Sequence, residues 1–109
     1  MSKVYTIIET PLFSRLVADY WTEDERGAFA TWLSGNPNAG DVIPASGGIR
    51  KVRWSRAGSG KRGGVRVIYF NQLTNGEIWL LLIYSKGARE NIPAHVLRAI
   101  KEEVKDVSE

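Results

Sequence analysis

Seven cations, Arg50, Lys51, Arg53, Arg56, Lys61, Arg62 and Arg66, stand between Val42 and Gly76 with no aspartate or glutamate among them. Such side chains make charge-assisted hydrogen bonds to phosphate, and arginine does so with a planar fork of donors. The remaining inventory narrows the chemistry. The chain has no cysteine and a single histidine, His95, so a cysteine nucleophile, a zinc site and a Ser-His-Asp relay all lack parts. An enzyme built from these residues works with lysine, arginine and tyrosine. That is physically possible for cleaving RNA, whose own 2′-hydroxyl is the nucleophile. The protein then has to orient it, stabilise charge on the phosphorane and manage protons.

The formal net charge is only +3, but its distribution is uneven. Met1–Asp41 carries three basic and six acidic residues, and the chain from Glu77 onward carries five basic and six acidic. A cationic block between acidic ends suits a polyanion approached in one orientation. The plain alternative is a solvated basic surface without a partner. Trp54, Tyr69, Phe70 and Tyr84 are interleaved with the cations and could stack bases, although aromatic residues in strands more often belong to a core.

Within the block, Gly58–Gly63 (GSGKRG) satisfies the G-x-G-x-x-G pattern of a dinucleotide-binding turn. That turn needs a strand before it, a helix opening on it and an acidic ribose partner about 20 residues later. Strand-forming residues lie on both sides instead, so no helix N-terminus can receive a pyrophosphate. A P-loop fails as well, because Arg62 follows Gly60-Lys61 where serine or threonine is required. What remains is a flexible tip, or a basic loop whose glycines let a polynucleotide backbone come close.

The elements that must position these residues can be read from periodicity and punctuation. Val4–Ile8 reads as a strand. Thr10-Pro11 reads as an N-cap and first helical residue, and Phe13, Leu16, Val17, Tyr20 and Trp21 form an apolar stripe at helical spacing. Thr22 and Glu25 make a capping box that opens a second helix. Gly35-Asn36-Pro37 closes it, with Gly35 expected in the left-handed conformation. Asn38–Gly48 reads as an irregular connection. Strands are expected at Ile49–Trp54, Val65–Asn71 and Ile78–Tyr84, with a tight turn at Thr74-Asn75-Gly76 between the last two. Pro93 opens a final helix with Val96, Leu97, Ile100 and Val104 on one face. The order β-α-α-β-β-β-α predicts an α+β domain, helices packed on a small, mostly antiparallel sheet.

At 109 residues the chain reads as one domain, residues 1–109, large enough for a single core. No run approaches the length of a membrane span, and lack of cysteine is compatible with a reducing cytoplasm; the expectation is an unexported cytoplasmic protein.

Two longer stretches carry a family resemblance. "GDVIPASGGIRKVRWSRAGSGKRGGVRVIYF", Gly40–Phe70, and "WLLLIYSKGARENI", Trp79–Ile92, resemble HigB-type toxins of the RelE/ParE superfamily, the toxin halves of type II toxin–antitoxin modules. The resemblance implies a RelE-like fold and a ribosome-dependent mRNA endoribonuclease that needs neither metal nor cofactor. It implies catalytic roles for Lys51, Arg53, Arg66, Tyr84 and Lys86, and RNA or ribosome contacts from Arg50, Arg56, Lys61, Arg62 and Arg89. The implied partners are a cognate antitoxin, a small helix-turn-helix protein, and the 70S ribosome with its mRNA. Two other activities stand beside this one: inhibition of DNA gyrase, as in ParE-like relatives, and non-catalytic nucleic-acid binding.

Overall fold

Two threonines start the two N-terminal helices. The Thr10 hydroxyl accepts a hydrogen bond from the Phe13 amide at 3.1 Å and donates to the Leu81 carbonyl at 3.3 Å, so one side chain caps a helix and ties it to the sheet. Thr22 and Glu25 complete a reciprocal capping box, satisfying donors that a helix start otherwise leaves unpaired. The structure, a computed structural model, describes residues 5–54, 64–85 and 92–108, the last five of these by backbone alone. Its elements are β1 (Thr6–Glu9), α1 (Pro11–Val17), α2 (Glu23–Ser34), β2 (Asp41–Val42), β3 (Arg50–Trp54), β4 (Val65–Gln72), β5 (Glu77–Ser85) and α3 (Ala94–Ser108).

The strands form one sheet in the order β1-β5-β4-β3-β2. β1 runs parallel to β5 and the other neighbours are antiparallel. The α+β class and the mostly antiparallel sheet are as expected. β2 is an addition: the Asn38–Gly48 connection pairs Asp41 and Val42 with Lys51 and Arg50. The expected left-handed Gly35 is not found. Gly35 has φ −96° and ψ −4°, and the Asn36 side-chain amide instead reaches back to the Trp32 carbonyl at 2.8 Å. A side-chain donor thus serves a helix-end carbonyl without a left-handed turn. The tight turn before β5 is a 3-10 turn at Leu73–Asn75, closed by Gly76 at φ 72°.

Each face of the sheet buries its own core. On one face, α1 and α2 bring Phe13, Val17, Phe29 and Leu33 against Val52, Val67, Tyr69 and Ile83. On the other, Leu97 of α3 packs with Ile49, Ile68, Phe70, Trp79 and Leu81. β5 serves both, which is why its apolar run is nearly unbroken. A bulge opposite Ile68 and Tyr69, which pair with Leu82 and Leu80, leaves Leu81 as the extra residue. Leu81 and Leu82 both join the α3-side core as a result. Trp54, one of the candidate base platforms, is instead part of an aromatic cluster, 5.3 Å from the Phe29 ring and 4.9 Å from that of Trp32. Tyr69, Phe70 and Tyr84 are buried too, so all four aromatics pack in the core rather than offering open faces for bases.

Candidate nucleic-acid interface

Residues directly opposite one another in a sheet share a face. Arg53 of β3 pairs with Arg66 of β4, and Arg66 with Tyr84 of β5, so the three side chains form one row across three strands. The next row on that face runs Asp41, Lys51, Ile68, Leu82. Arg53 is exposed, Lys51 and Arg66 are half-buried and Tyr84 is buried. This is the face that α3 covers further along, where Ile68, Phe70 and Leu81 take over from the cations. Four residues expected at the site, Lys51, Arg53, Arg66 and Tyr84, therefore converge. Lys86, Arg56, Lys61, Arg62 and Arg89, together with the Gly58–Gly63 loop, lie outside the described residues.

Two arginines held directly opposite each other repel. An anion beside them offsets that repulsion and can accept from a guanidinium fork. Neither Lys51 nor Arg53 is hydrogen-bonded or ion-paired to a described residue; the two described ion pairs belong to Arg26, with Glu9 and with Glu23. Among the described residues no group of three His, Asp or Glu side chains is placed to hold a metal ion.

Arg50, also expected among the RNA-binding cations, is used differently. It alternates to the opposite face of β3, and its guanidinium donates to the Gly40 carbonyl at 2.6 Å and the Asn38 carbonyl at 3.4 Å. The Tyr69 hydroxyl accepts from the Gly40 amide at 2.9 Å and donates to the Pro37 carbonyl at 2.8 Å. Asn71 donates to the same Pro37 carbonyl at 2.9 Å. Burial pushes the Tyr69 phenol's pKa up, against the Gly40 hydrogen bond and the Arg50 charge, so the hydroxyl keeps the proton it donates. These bonds hold the chain before β2 hard against β3, where a Cβ on Gly40 would stand 2.8 Å from the Lys51 carbonyl oxygen.

The following turn is fixed just as locally. The buried Ser46 hydroxyl donates to the Ile43 carbonyl at 2.6 Å and accepts from the Ile49 amide at 3.0 Å. Ala45, Gly47 and Gly48 have positive φ, which only glycine adopts freely. From α3, Arg98 donates to the Ala45 carbonyl and Lys101 to the Gly47 carbonyl, with Lys101 also 5.4 Å above the Phe70 ring. Most of the stretch G-D-V-I-P-A-S-G-G-I-R is thus a brace that sets where β3 presents Lys51 and Arg53. Its carbonyl partners could not be read from the sequence, because a hydrogen bond to a distant backbone leaves no pattern in residue types.

Beside the row, an apolar groove of about 430 Å³ runs between α1 and α3, lined by Leu12, Leu16, Tyr20, Leu82, Val96 and Ile100, with Tyr84 in its wall. Val96, expected in the buried stripe of α3, is 38% exposed on this groove.

No protein-family model matches the chain. Among solved structures, the fold is similar to that of the Escherichia coli toxin RelE, an arginine-to-alanine double mutant in the free state. The TM-score is 0.63 at 9% sequence identity, covering 90% of this chain and 97% of that one. The architecture is RelE-like.

Proposed function

We propose that this chain is a HigB-type toxin of the RelE/ParE superfamily that cleaves mRNA on the translating ribosome in the cytoplasm and is neutralised by a small helix-turn-helix antitoxin. The observation that carries the reading is the row Arg53–Arg66–Tyr84, with Lys51 two residues along β3 on the same face. Arg53 and Arg66 bind the non-bridging oxygens of the scissile phosphate, and their charge counts most on the phosphorane, where the negative charge is largest. Lys51 adds a third cation, and Tyr84 supplies a hydroxyl at the β5 end of the row. The 2′-oxygen of the RNA attacks phosphorus, the bond to the 5′-oxygen breaks, and the products are a cyclic phosphate and a free 5′-hydroxyl. Lys86, two residues after Tyr84 in the sequence, shares in catalysis, and Arg56, Lys61, Arg62 and Arg89 contact RNA or the ribosome; the motifs of Gly40–Phe70 and Trp79–Ile92 support those roles.

Expression without antitoxin is expected to stop growth, and 5′-end mapping of a translated message to find cuts within codons. The same message without a start codon stays intact. Growth arrest with every message whole sinks the reading. Strong inhibition of DNA gyrase by stoichiometric protein would replace it with gyrase poisoning.

A further inference from the structure

The cationic row has proton donors in plenty and lacks an acceptor. Guanidinium, ammonium and phenol groups ordinarily hold their protons at neutral pH, whereas a carboxylate stands ready to take one. A 2′-hydroxyl cannot attack phosphorus without losing its proton in the process. Resting on the RNA-cleavage reading, we propose that Asp41 is the general base of the reaction.

In the two rows of this face, Asp41 is the one side chain of the accepting kind. It is directly opposite Lys51 on β2, a strand of two residues that exists because Arg50 and Tyr69 hold the preceding chain against the sheet. Asp41 is exposed, and no described hydrogen bond or ion pair uses its carboxylate. One strand spacing across and two residues along separate it from Arg53, about 8 Å between backbones. A phosphate on Arg53 and Arg66 thus has Asp41 toward its β2 side and Tyr84 toward its β5 side. Those are opposite flanks, as an in-line displacement requires of its base and its acid. The 2′-hydroxyl proton passes to the Asp41 carboxylate as the bond from O2′ to phosphorus forms. The bond from phosphorus to O5′ breaks, and O5′ takes the Tyr84 hydroxyl proton.

The test is single-turnover cleavage of a ribosome-bound message by the full chain and by Asp41→Asn, with Asp24→Asn as control. Asp24 lies on the first turn of α2. Asp41→Asn should lower kcat by about 10²–10⁴-fold without raising KM, since the substitution removes a negative charge from a face that binds a polyanion. Asp41→Glu should recover part of the loss, and Asp24→Asn should cleave normally. On a message with sulfur replacing the 5′-oxygen at the cut, the leaving group needs no proton. There Tyr84→Phe should recover its rate and Asp41→Asn should stay slow. Wild-type rates in Asp41→Asn, or its recovery on the sulfur substrate, overturn the role of Asp41 while leaving RNA cleavage intact. A wild-type chain that engages ribosomes and cuts nothing overturns both.

Discussion

Arg26 and Arg53 are the same residue put to opposite uses. Arg26, on α2, is closed off: its Nε donates to Glu9 of β1 at 2.8 Å and another guanidinium nitrogen reaches Glu23 at 3.1 Å. Glu9 in turn accepts from Ser14 at 2.7 Å, so helix, strand and charge are satisfied together. Arg53 faces a second arginine across the strand gap, on a row with no carboxylate in it. Opposite charges close on each other, whereas like charges held in register across a strand pair repel. The contrast separates the half of the molecule that α1, α2 and β1 brace from the half that carries the cationic row.

The largest effect should come from breaking the open side. Replacing Arg53 and Arg66 together by alanine removes two donors from the phosphorane, and the expected loss of cleavage is roughly 10³-fold or more. Melting temperature should stay near the wild-type value, because Arg53 is exposed and Arg66 only half-buried. Cleavage assays beside thermal melts of the same preparations check both. A loss of activity that simply tracks a loss of fold would erase the contrast.

Next comes the brace beneath that side. Gly40→Ala puts a methyl 2.8 Å from the Lys51 carbonyl and 3.0 Å from the Tyr69 ring, and overpacking of this kind costs about 1–3 kcal/mol. Displacement of β3 at Lys51 should slow cleavage as well. A methyl on Gly27 of α2 would meet no atom within 4 Å, so Gly27→Ala should stabilise by roughly 0.5–1 kcal/mol and leave cleavage alone. Chemical denaturation of the two variants, with cleavage rates, separates the halves.

These two glycines also show where the sequence is legible. Local rules read well: the Thr10 and Thr22 caps and the three long strands follow from spacing of a few residues, whereas the shared face of Lys51, Arg53, Arg66 and Tyr84 comes from the pairing of β3, β4 and β5. Gly40 and Gly27 look alike in the chain, and only the fold brings Lys51 against one and solvent against the other. Arg50 reads as another cation of the block, yet a two-residue strand that periodicity cannot register turns it toward carbonyls at Asn38 and Gly40. Asp41 escapes notice for the same reason. It is the last acid before the cationic block, and β2 carries it back beside Lys51.

The smallest effect tests the closed side. Hydrogen bonding to the Arg26 guanidinium, with help from Ser14, holds the Glu9 carboxyl below its ordinary range against the opposing effect of burial. A depressed folded-state pKa means that the unfolded chain binds the proton more readily. The contribution of Glu9 is therefore fully present above the unfolded value, near pH 4.3, and is lost as pH falls through the lower folded value. The pair is partly solvated, with side-chain exposures of 30% for Arg26 and 20% for Glu9, so Glu9→Gln should cost only about 0.5–1 kcal/mol at neutral pH. Urea unfolding of wild type and Glu9→Gln should show a gap that is constant from pH 7 to about pH 5 and closes below about pH 4. RNA cleavage at neutral pH should be the same in both. A gap that persists into acid would mean that Glu9 acts through packing, and a cleavage defect would join the closed half of the molecule to the open one.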